Sequence, residues 1–218
     1  METFVEITGT TLRFAGYALL PLLVLPLLIL ALPKPLAGPS SLLSRGLDKI
    51  SGFAMGFAVS AAFLIILIQL TAVLLRYVFG LSFSWLTDSV IFSFAMIFML
   101  GAAATLRDDG HVRVDILRPR FSPKTRAAIE LIGAMIFIFP IAILILYSGS
   151  SMIARTWIGL ERFNESDGLP IQYLFKTMVP LFAILILGQG LSQAIKAALV
   201  IRNQRAPDDT AAPAEGAL

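Results

Sequence analysis

Five apolar stretches of 18 to 23 residues divide this chain of 218 residues. They cover residues 14–32, 53–75, 89–106, 127–147 and 178–195. Because an α-helix rises about 1.5 Å per residue, about 20 apolar residues cross the hydrocarbon core of a bilayer. Only 14% of the side chains are charged, against about 25% in a soluble domain. The sequence therefore predicts an all-α integral membrane protein whose immediate surroundings are the lipid bilayer.

The stretches also define a predicted domain organisation. In chain order it comprises a short N-terminal segment (1–13), an additional N-terminal transmembrane helix (14–32), a cytoplasmic linker (33–52), a bundle of four core transmembrane helices (53–200) and a disordered cytoplasmic tail (201–218). We interpret the first stretch as a span and not as a cleaved signal peptide, because Glu2 and Glu6 precede it and prolines follow it. Pro21 and Pro26 lie inside this span and are expected to kink it.

The linker allows two interpretations. Leu43, Leu47 and Ile50 recur at helical spacing with charged residues on the other side, which is typical of a short amphipathic interfacial helix in the headgroup region. Ser40 or Ser41 would cap that helix. The alternative is an ordinary capped start to the next span.

Lysine and arginine are unevenly distributed between the loops. With five spans, twelve of the 17 basic residues fall in the first loop, the third loop and the tail. The remaining five fall in the N-terminal segment, the second loop and the fourth loop. The positive-inside rule then predicts a periplasmic N-terminus and a cytoplasmic C-terminus.

The composition excludes several kinds of site. The chain has no cysteine and one histidine, His111, so thiolate chemistry and a haem held by two of its own histidines are excluded. No group of carboxylates resembles a metal cage, and the basic loops lack the interleaved aromatic residues of a nucleic-acid surface. We therefore expect no cofactor, no metal, no nucleic-acid partner and no enzymatic activity.

The apolar stretches carry little ionisable chemistry. Apart from Glu130, near one end of the fourth stretch, none contains an acidic or basic side chain. Ion and proton carriers place such groups at mid-membrane. We expect Gln69, Gln189 and Gln193 to form hydrogen bonds between helices. Small residues at helical spacing, such as Gly52 and Gly56, predict helices that pack closely against protein.

Charged and aromatic residues surround the second loop. Arg76 closes the second span and Asp88 opens the third, so each charge complements the helix dipole beside it. The two could form a salt bridge or act as independent headgroup anchors. Tyr77 and Trp85 lie where interfacial aromatic residues settle.

Several motifs resemble one family. The motifs are RYVFG at residue 76, SW at residue 84 with an acid three residues beyond the tryptophan, and LGAAATLRDDGHVRVDIL from residue 100. Together they resemble the small permease subunit of TRAP (tripartite ATP-independent periplasmic) transporters, the DctQ-like family. The resemblance covers about residues 50 to 200. The later segments IGLERFNESDGLPIQYLFKTMVP and GQG resemble the branch often labelled for mannitol or chloroaromatic compounds. Family members usually have four spans, so the first stretch is an addition, and Thr87 with Asp88 replaces a frequent glutamate pair.

The resemblance implies a non-catalytic subunit in the bacterial inner membrane. Its partners would be a larger membrane subunit and a periplasmic solute-binding protein. The larger subunit would move a small organic solute, such as an organic acid, by a sodium-driven elevator motion. The small subunit would serve as a fixed scaffold and help the binding protein to dock. The positions that match the family pattern, interpreted as structural or subunit-interface residues, are Arg76, Trp85, Asp88, Gly101, Gly110, His111, Arg113 and Asp115.

Two loops receive specific predictions. Glu161, Glu165 and Asp167 form an acidic patch in the fourth loop that either docks the binding protein or is simply solvated. In the third loop, Gly110 is expected to make the turn and His111 to hold it by hydrogen bonding. The alternative functions are a membrane anchor for a redox complex and a self-sufficient small carrier.

Overall fold

The computed structural model describes residues 21–110, 121–163 and 167–203. Within these ranges all regular structure is helical. In chain order the elements are α1 (Leu25–Ala31), α2 (Pro33–Phe79), α3 (Ser84–Arg107), α4 (Pro123–Gly133), a π-helical segment (Ala134–Ile138), α5 (Phe139–Gly159) and α6 (Gln172–Ile201).

Four helical units in the described ranges are long and apolar enough to cross a membrane. They are Leu36–Phe79, Ser84–Arg107, Pro123–Gly159 and Gln172–Ile201. Each exceeds the roughly 20 residues that a bilayer core requires. The predictions of an all-α protein and of four core helices suited to membrane spans are therefore confirmed.

The additional N-terminal span is not confirmed. The described part of that stretch forms a short apolar helix, Pro21–Ala31, about 16 Å long at 1.5 Å per residue and so too short to cross a bilayer. Residues 14–20 of the predicted span lie outside the described ranges. Pro26 occupies the first turn of α1, where no backbone donor is needed, and a turn at Val24 separates α1 from the helical residues 21–23.

The linker is part of the long helix α2. This helix continues for 47 residues from Pro33 to Phe79, about 70 Å. A separate interfacial helix is not formed, and the hydroxyls of Ser40 and Ser41 donate to carbonyls of the preceding turn instead of capping a helix. Of the three apolar residues in the linker pattern, Leu43 and Leu47 pack against the core.

The third apolar unit contains a local change of helix type. Ser122 caps its start by accepting a hydrogen bond from the backbone N–H of Thr125 at 3.2 Å, and the proline that follows it is typical of the first turn of a helix. Pro140, which cannot donate a backbone hydrogen bond, is the second residue after the π-helical segment. The wider helical turn before it accommodates the missing donor and the proline ring.

Helix α6 lies at the centre of the bundle. It packs against α1, α2, α3, α4 and α5. Leu187, Leu191 and Ile195 on this helix are each at most 1% exposed. Gly190 permits close contact with the π-helical segment, because a Cβ there would lie 2.7 Å from Cγ2 of Ile138. The remaining helices are therefore arranged around α6.

Candidate functional site

A polar cluster joins the N-terminal half of α2 to the C-terminal half of α6. We call it the inner junction and define it by Asp48, Ser51, Gln189, Ser192 and Lys196. The Oδ1 atom of Asp48 accepts hydrogen bonds from Nε2 of Gln189 at 3.0 Å and from Oγ of Ser192 at 2.7 Å. Its Oδ2 atom lies 2.7 Å from Nζ of Lys196. Because polar groups buried in a membrane bundle need protein partners, these contacts fix how α2 and α6 pack.

Further contacts complete the inner junction. Oγ of Ser51 donates to Oε1 of Gln189 at 2.6 Å, and the Gln189 side chain is fully buried. Nε2 of Gln193 donates to the carbonyl oxygen of Leu106 at the end of α3. The prediction that Gln189 and Gln193 bond between helices is thus confirmed. For Gln69 it is not confirmed, because this side chain is exposed and has no hydrogen-bond partner within the described chain.

Helix α3 reaches the same region through its last residue. Nη1 of Arg107 donates to the backbone oxygen of Asp48 at 3.1 Å, while Nε lies 2.6 Å from the carboxylate of Asp108. The guanidinium approaches α2 at Gly52, where a Cβ would lie 2.9 Å from Nη1. Gly52 therefore makes room for an arginine side chain, whereas the spacing of small residues had suggested contact between helix backbones.

At the opposite end of the bundle, the loop between α5 and α6 is tied to the start of α3. We call this the loop junction and define it by Ser84, Asp88, Asp167 and Leu169. Oδ2 of Asp88, which is only 6% exposed, accepts from the backbone N–H of Leu169 at 2.9 Å. Oδ2 of Asp167 accepts from the N–H of Ser84 at 2.9 Å, at the first turn of α3. Two carboxylates thus link α3 to the loop, because each accepts a hydrogen bond from a backbone N–H of the other segment.

The environment of Asp167 changes its acidity. The hydrogen bond from the backbone of Ser84, with a smaller contribution from the Ser84 side chain, lowers the pKa of the Asp167 carboxyl below its ordinary value. The N-terminal turn of a helix leaves N–H groups without partners within the helix and favours negative charge. The ionised form of Asp167 is therefore the form that holds the loop.

The salt-bridge interpretation of Arg76 and Asp88 is wrong. Nη2 of Arg76 donates to Oγ of Ser82 at 3.3 Å on the exposed side of the turn. Asp88 instead lies beneath the loop and bonds to Leu169. The two charges are separated because Asp88 points into the bundle, whereas Arg76 stays at its surface.

Side chains of this loop and of the helix ends beside it make further contacts. Lys176 forms an ion pair with Glu161. Nε1 of Trp157 donates to Oγ1 of Thr177 at 3.0 Å, and the ring of Trp157 packs edge-on against Tyr173. Of the acidic patch predicted for docking, Glu161 and Asp167 are therefore engaged within the subunit. Glu165 lies outside the described residues.

The other positions that match the family pattern are dispersed. Trp85 is 42% exposed and lies beside Phe83. Gly101 lies against α2, where a Cβ would be 3.6 Å from that of Ala58. The N–H of Gly110 bonds to the carbonyl oxygen of Thr105 at 2.9 Å. His111, Arg113 and Asp115 lie outside the described residues.

The turn after α3 differs from the prediction for Gly110. The left-handed backbone conformation falls on Asp109, with φ of 59°. Asp is one of the residues that tolerate this conformation. Glycine at this position instead avoids a close contact, because a Cβ on Gly110 would lie 3.2 Å from Cγ2 of Thr105.

The inner junction was missed by the sequence reasoning, although its signal is present. Asp48 and Lys196 lie just outside the apolar stretches. Neither residue is therefore found when only the stretches themselves are searched for charged side chains. The residues Gln189, Ser192 and Lys196 share one face of a helix by their spacing. A polar face on each of two helices would have indicated that the helices meet there.

The polar junctions and a nearby groove differ in their chemistry. No group of three potential metal ligands occurs within residues 21–110, 121–163 and 167–203. A groove of about 190 Å³ between α6 and the π-helical segment with α5 is lined only by apolar side chains, among them Phe137, Ile141 and Phe182. Such a groove offers no polar group to an organic acid. Both polar junctions bond helices and loops to one another.

Comparison with other proteins identifies a family. No curated protein and no solved structure matches the chain. A family model described as "Tripartite ATP-independent periplasmic transporters, DctQ component" matches residues 65–199. This match extends over more than half of the chain and includes the last third of α2 and nearly all of α6. The chain therefore belongs to the DctQ family and is a small membrane component of a TRAP transporter.

Proposed function

We propose that this subunit is a non-catalytic scaffold in a sodium-driven TRAP transporter for a small organic acid. In this assembly a large membrane subunit carries the solute, a periplasmic protein delivers it, and the DctQ subunit holds the large subunit in the bacterial inner membrane. The observation that carries the proposal is the family match together with helices bonded by two polar junctions. Fixed helices suit a stationary part of a transporter.

The proposed orientation follows from the basic residues. The loop junction faces the periplasm, and the inner junction lies at the cytoplasmic side together with the basic third loop. This arrangement brings the loop between α5 and α6 to the side where a binding protein arrives. Because Glu161 and Asp167 already have partners within the subunit, Glu165 and Arg162 are the charges of this loop that we assign to docking.

Reconstitution tests the scaffold function. The purified subunit, the large subunit and both together are placed in separate liposomes with the binding protein, a sodium gradient and a labelled organic acid. We expect uptake only when both membrane subunits are present. Uptake by the small subunit alone would establish a self-sufficient carrier, and full uptake by the large subunit alone would remove the need for a scaffold.

A charge reversal tests docking. Glu165→Lys should slow association of the binding protein at low salt, because exposed charges mainly set association rates and are screened by salt. Thr87→Lys is the control for a new positive charge on an exposed position near the loop junction. Equal association rates for Glu165→Lys and the unmodified subunit at low salt would exclude this loop from the docking surface.

A further inference from the structure

Gln69 lies inside the apolar stretch 53–75 of a membrane-spanning helix. It is six residues before Leu75, where that stretch ends, and so about 9 Å inside the hydrocarbon core at 1.5 Å per residue. The whole core is roughly 30 Å thick. The surrounding sequence, LIILIQLTAVLL, is otherwise apolar apart from Thr71. The amide of Gln69 is therefore placed where lipid offers no hydrogen bonds.

Gln69 differs from the other polar side chains of this span. The hydroxyls of Ser60 and Thr71 donate to carbonyls one turn earlier in α2, at 2.9 and 2.8 Å. Such short side chains satisfy themselves on their own helix. The glutamine amide carries two donor hydrogens and an acceptor at the end of a longer side chain. It is exposed and makes no hydrogen bond with any described part of the chain, so it lacks the partner that its depth requires.

The face that carries Gln69 is a packing face elsewhere on the same helix. Gln69 follows Ser51 by eighteen residues, about five full turns at 3.6 residues per turn. At Ser51 this face is covered by α6, through the hydrogen bond to Gln189. At Gln69 the same face is exposed. Helix α2 is also the least covered of the four long helices, with 11% of its apolar window buried against 44% for α6.

We propose that a transmembrane helix of the large membrane subunit packs against α2 at Gln69 and forms a hydrogen bond with its amide. The inference rests on the proposed function, since it names the surface by which the scaffold holds its partner. Lipid tails cannot supply the hydrogen bond, whereas polar side chains of a neighbouring helix can. The partner helix carries a polar group at the depth of Gln69.

A charge on the same face favours the large subunit over a second copy of this chain. Arg76 follows Gln69 by seven residues, about two turns, and is exposed. Two copies in one membrane would pair their α2 helices in parallel, which would bring the two Arg76 guanidinium groups to the same depth. Two like charges that are brought close together repel each other. A different partner avoids this repulsion and can present an acceptor to Arg76.

Site-specific crosslinking identifies the occupant. A photoreactive benzophenone amino acid is placed at Gln69 or, as a control, at Leu67, which is 62% exposed on another face of α2. In membranes that contain the whole transporter, we expect the probe at position 69 to crosslink to the large subunit and the probe at position 67 to do so much less. A product of twice the subunit mass of 23.6 kDa would identify a second copy and overturn the proposal. Crosslinking from position 69 to lipid alone would also overturn it.

A substitution pair measures the hydrogen bond. Gln69→Leu keeps an apolar helix but removes the amide, and should reduce the large subunit that co-purifies by roughly threefold to tenfold, in line with hydrogen bonds between membrane helices. Thr71→Val should leave co-purification unchanged, because the hydroxyl of Thr71 bonds within α2. Equal recovery with Gln69→Leu and the unmodified subunit would contradict the proposed contact.

The two proposals fail in different ways. If the unmodified subunits co-purify and uptake needs both, but position 69 neither crosslinks nor responds to Gln69→Leu, only the assigned surface is wrong. If the unmodified subunits do not co-purify and the large subunit transports alone, the scaffold function is wrong, and the Gln69 contact is rejected with it.

Discussion

The carboxylate of Asp48 and the ammonium group of Lys196 lie 2.7 Å apart and join the first long helix to the end of the last one. Their side chains are 22% and 14% exposed, so water screens the pair only in part. Ser192 and Gln189 bond to the same carboxylate. Asp48 is therefore the centre of a network and not a member of an isolated surface pair, for which contributions are small.

Removing Asp48 should destabilise the subunit. Asp48→Ala leaves Lys196 and Gln189 without their acceptor, and breaking a largely buried pair from one side costs roughly 3 kcal/mol. The measurement is the thermal unfolding midpoint in detergent. Asp108→Ala is the control, because Asp108 is 48% exposed, and its removal should change the midpoint little.

A double substitution separates the pair from the network. If Asp48 and Lys196 act together, Asp48→Ala with Lys196→Met should be less destabilised than the sum of the single variants, because the uncompensated ammonium is gone. Strict additivity would show that the two groups are energetically independent despite their contact.

The sequence predicts the helices well because membrane insertion depends on local hydropathy, and the four units from Leu36 to Ile201 lie where the apolar stretches are. It does not predict pairings that depend on how helices meet in space. Gln189 and Asp48 are 141 residues apart, and no local pattern aligns them. Arg76 and Asp88 are close in sequence, yet the nearest partner of Asp88 is the backbone of Leu169.

The loop junction should respond to pH through Asp167. Its folded pKa is lowered from an ordinary value near 3.8, so the ionised carboxylate contributes stability above about pH 4, where both folded and unfolded forms are charged. That contribution is lost as the pH falls through the lowered pKa. The unfolding midpoint of Asp167→Asn should therefore lie below that of the unmodified subunit by a constant amount from pH 6 to 8. The difference should shrink in acid, whereas a difference that grows as the pH falls would contradict the assigned cause.

The contact between α6 and the π-helical segment should tolerate no side chain at Gly190. A Cβ there lies 2.7 Å from Ile138 Cγ2 and 3.4 Å from Cε1 of Phe139. Because overpacking displaces neighbours, Gly190→Ala should cost about 1–3 kcal/mol. Gly149→Ala is the matched control, since nothing lies within 4 Å of its added Cβ, and alanine favours a helix over glycine. Equal unfolding midpoints for the two variants would contradict this packing.

The topology follows from the basic loops and is measured with fusions. A reporter that is active only in the periplasm should be silent when fused after Arg120 and active when fused after Gly80, the residue that ends α2 in a left-handed conformation. Inverting the two signals would place the loop junction on the cytoplasmic side and exclude it from contact with a periplasmic protein.

The hydrogen bond from Leu169 to Asp88 should matter more than the charge of Asp88. The carboxylate is 6% exposed and accepts from a backbone N–H. Asp88→Leu removes the acceptor and leaves that donor without a partner, which costs about 1–3 kcal/mol. Asp88→Asn keeps an acceptor oxygen in the same place and should recover most of the loss. Thr87→Leu, an exposed neighbour on α3, controls for the added apolar side chain. The unfolding midpoint and the amide hydrogen exchange of Leu169 report both effects, and faster exchange of this amide is expected only in Asp88→Leu. The Leu169 amide could instead exchange as fast in Asp88→Asn as in Asp88→Leu. That result would show that the negative charge, and not the acceptor oxygen, holds the loop.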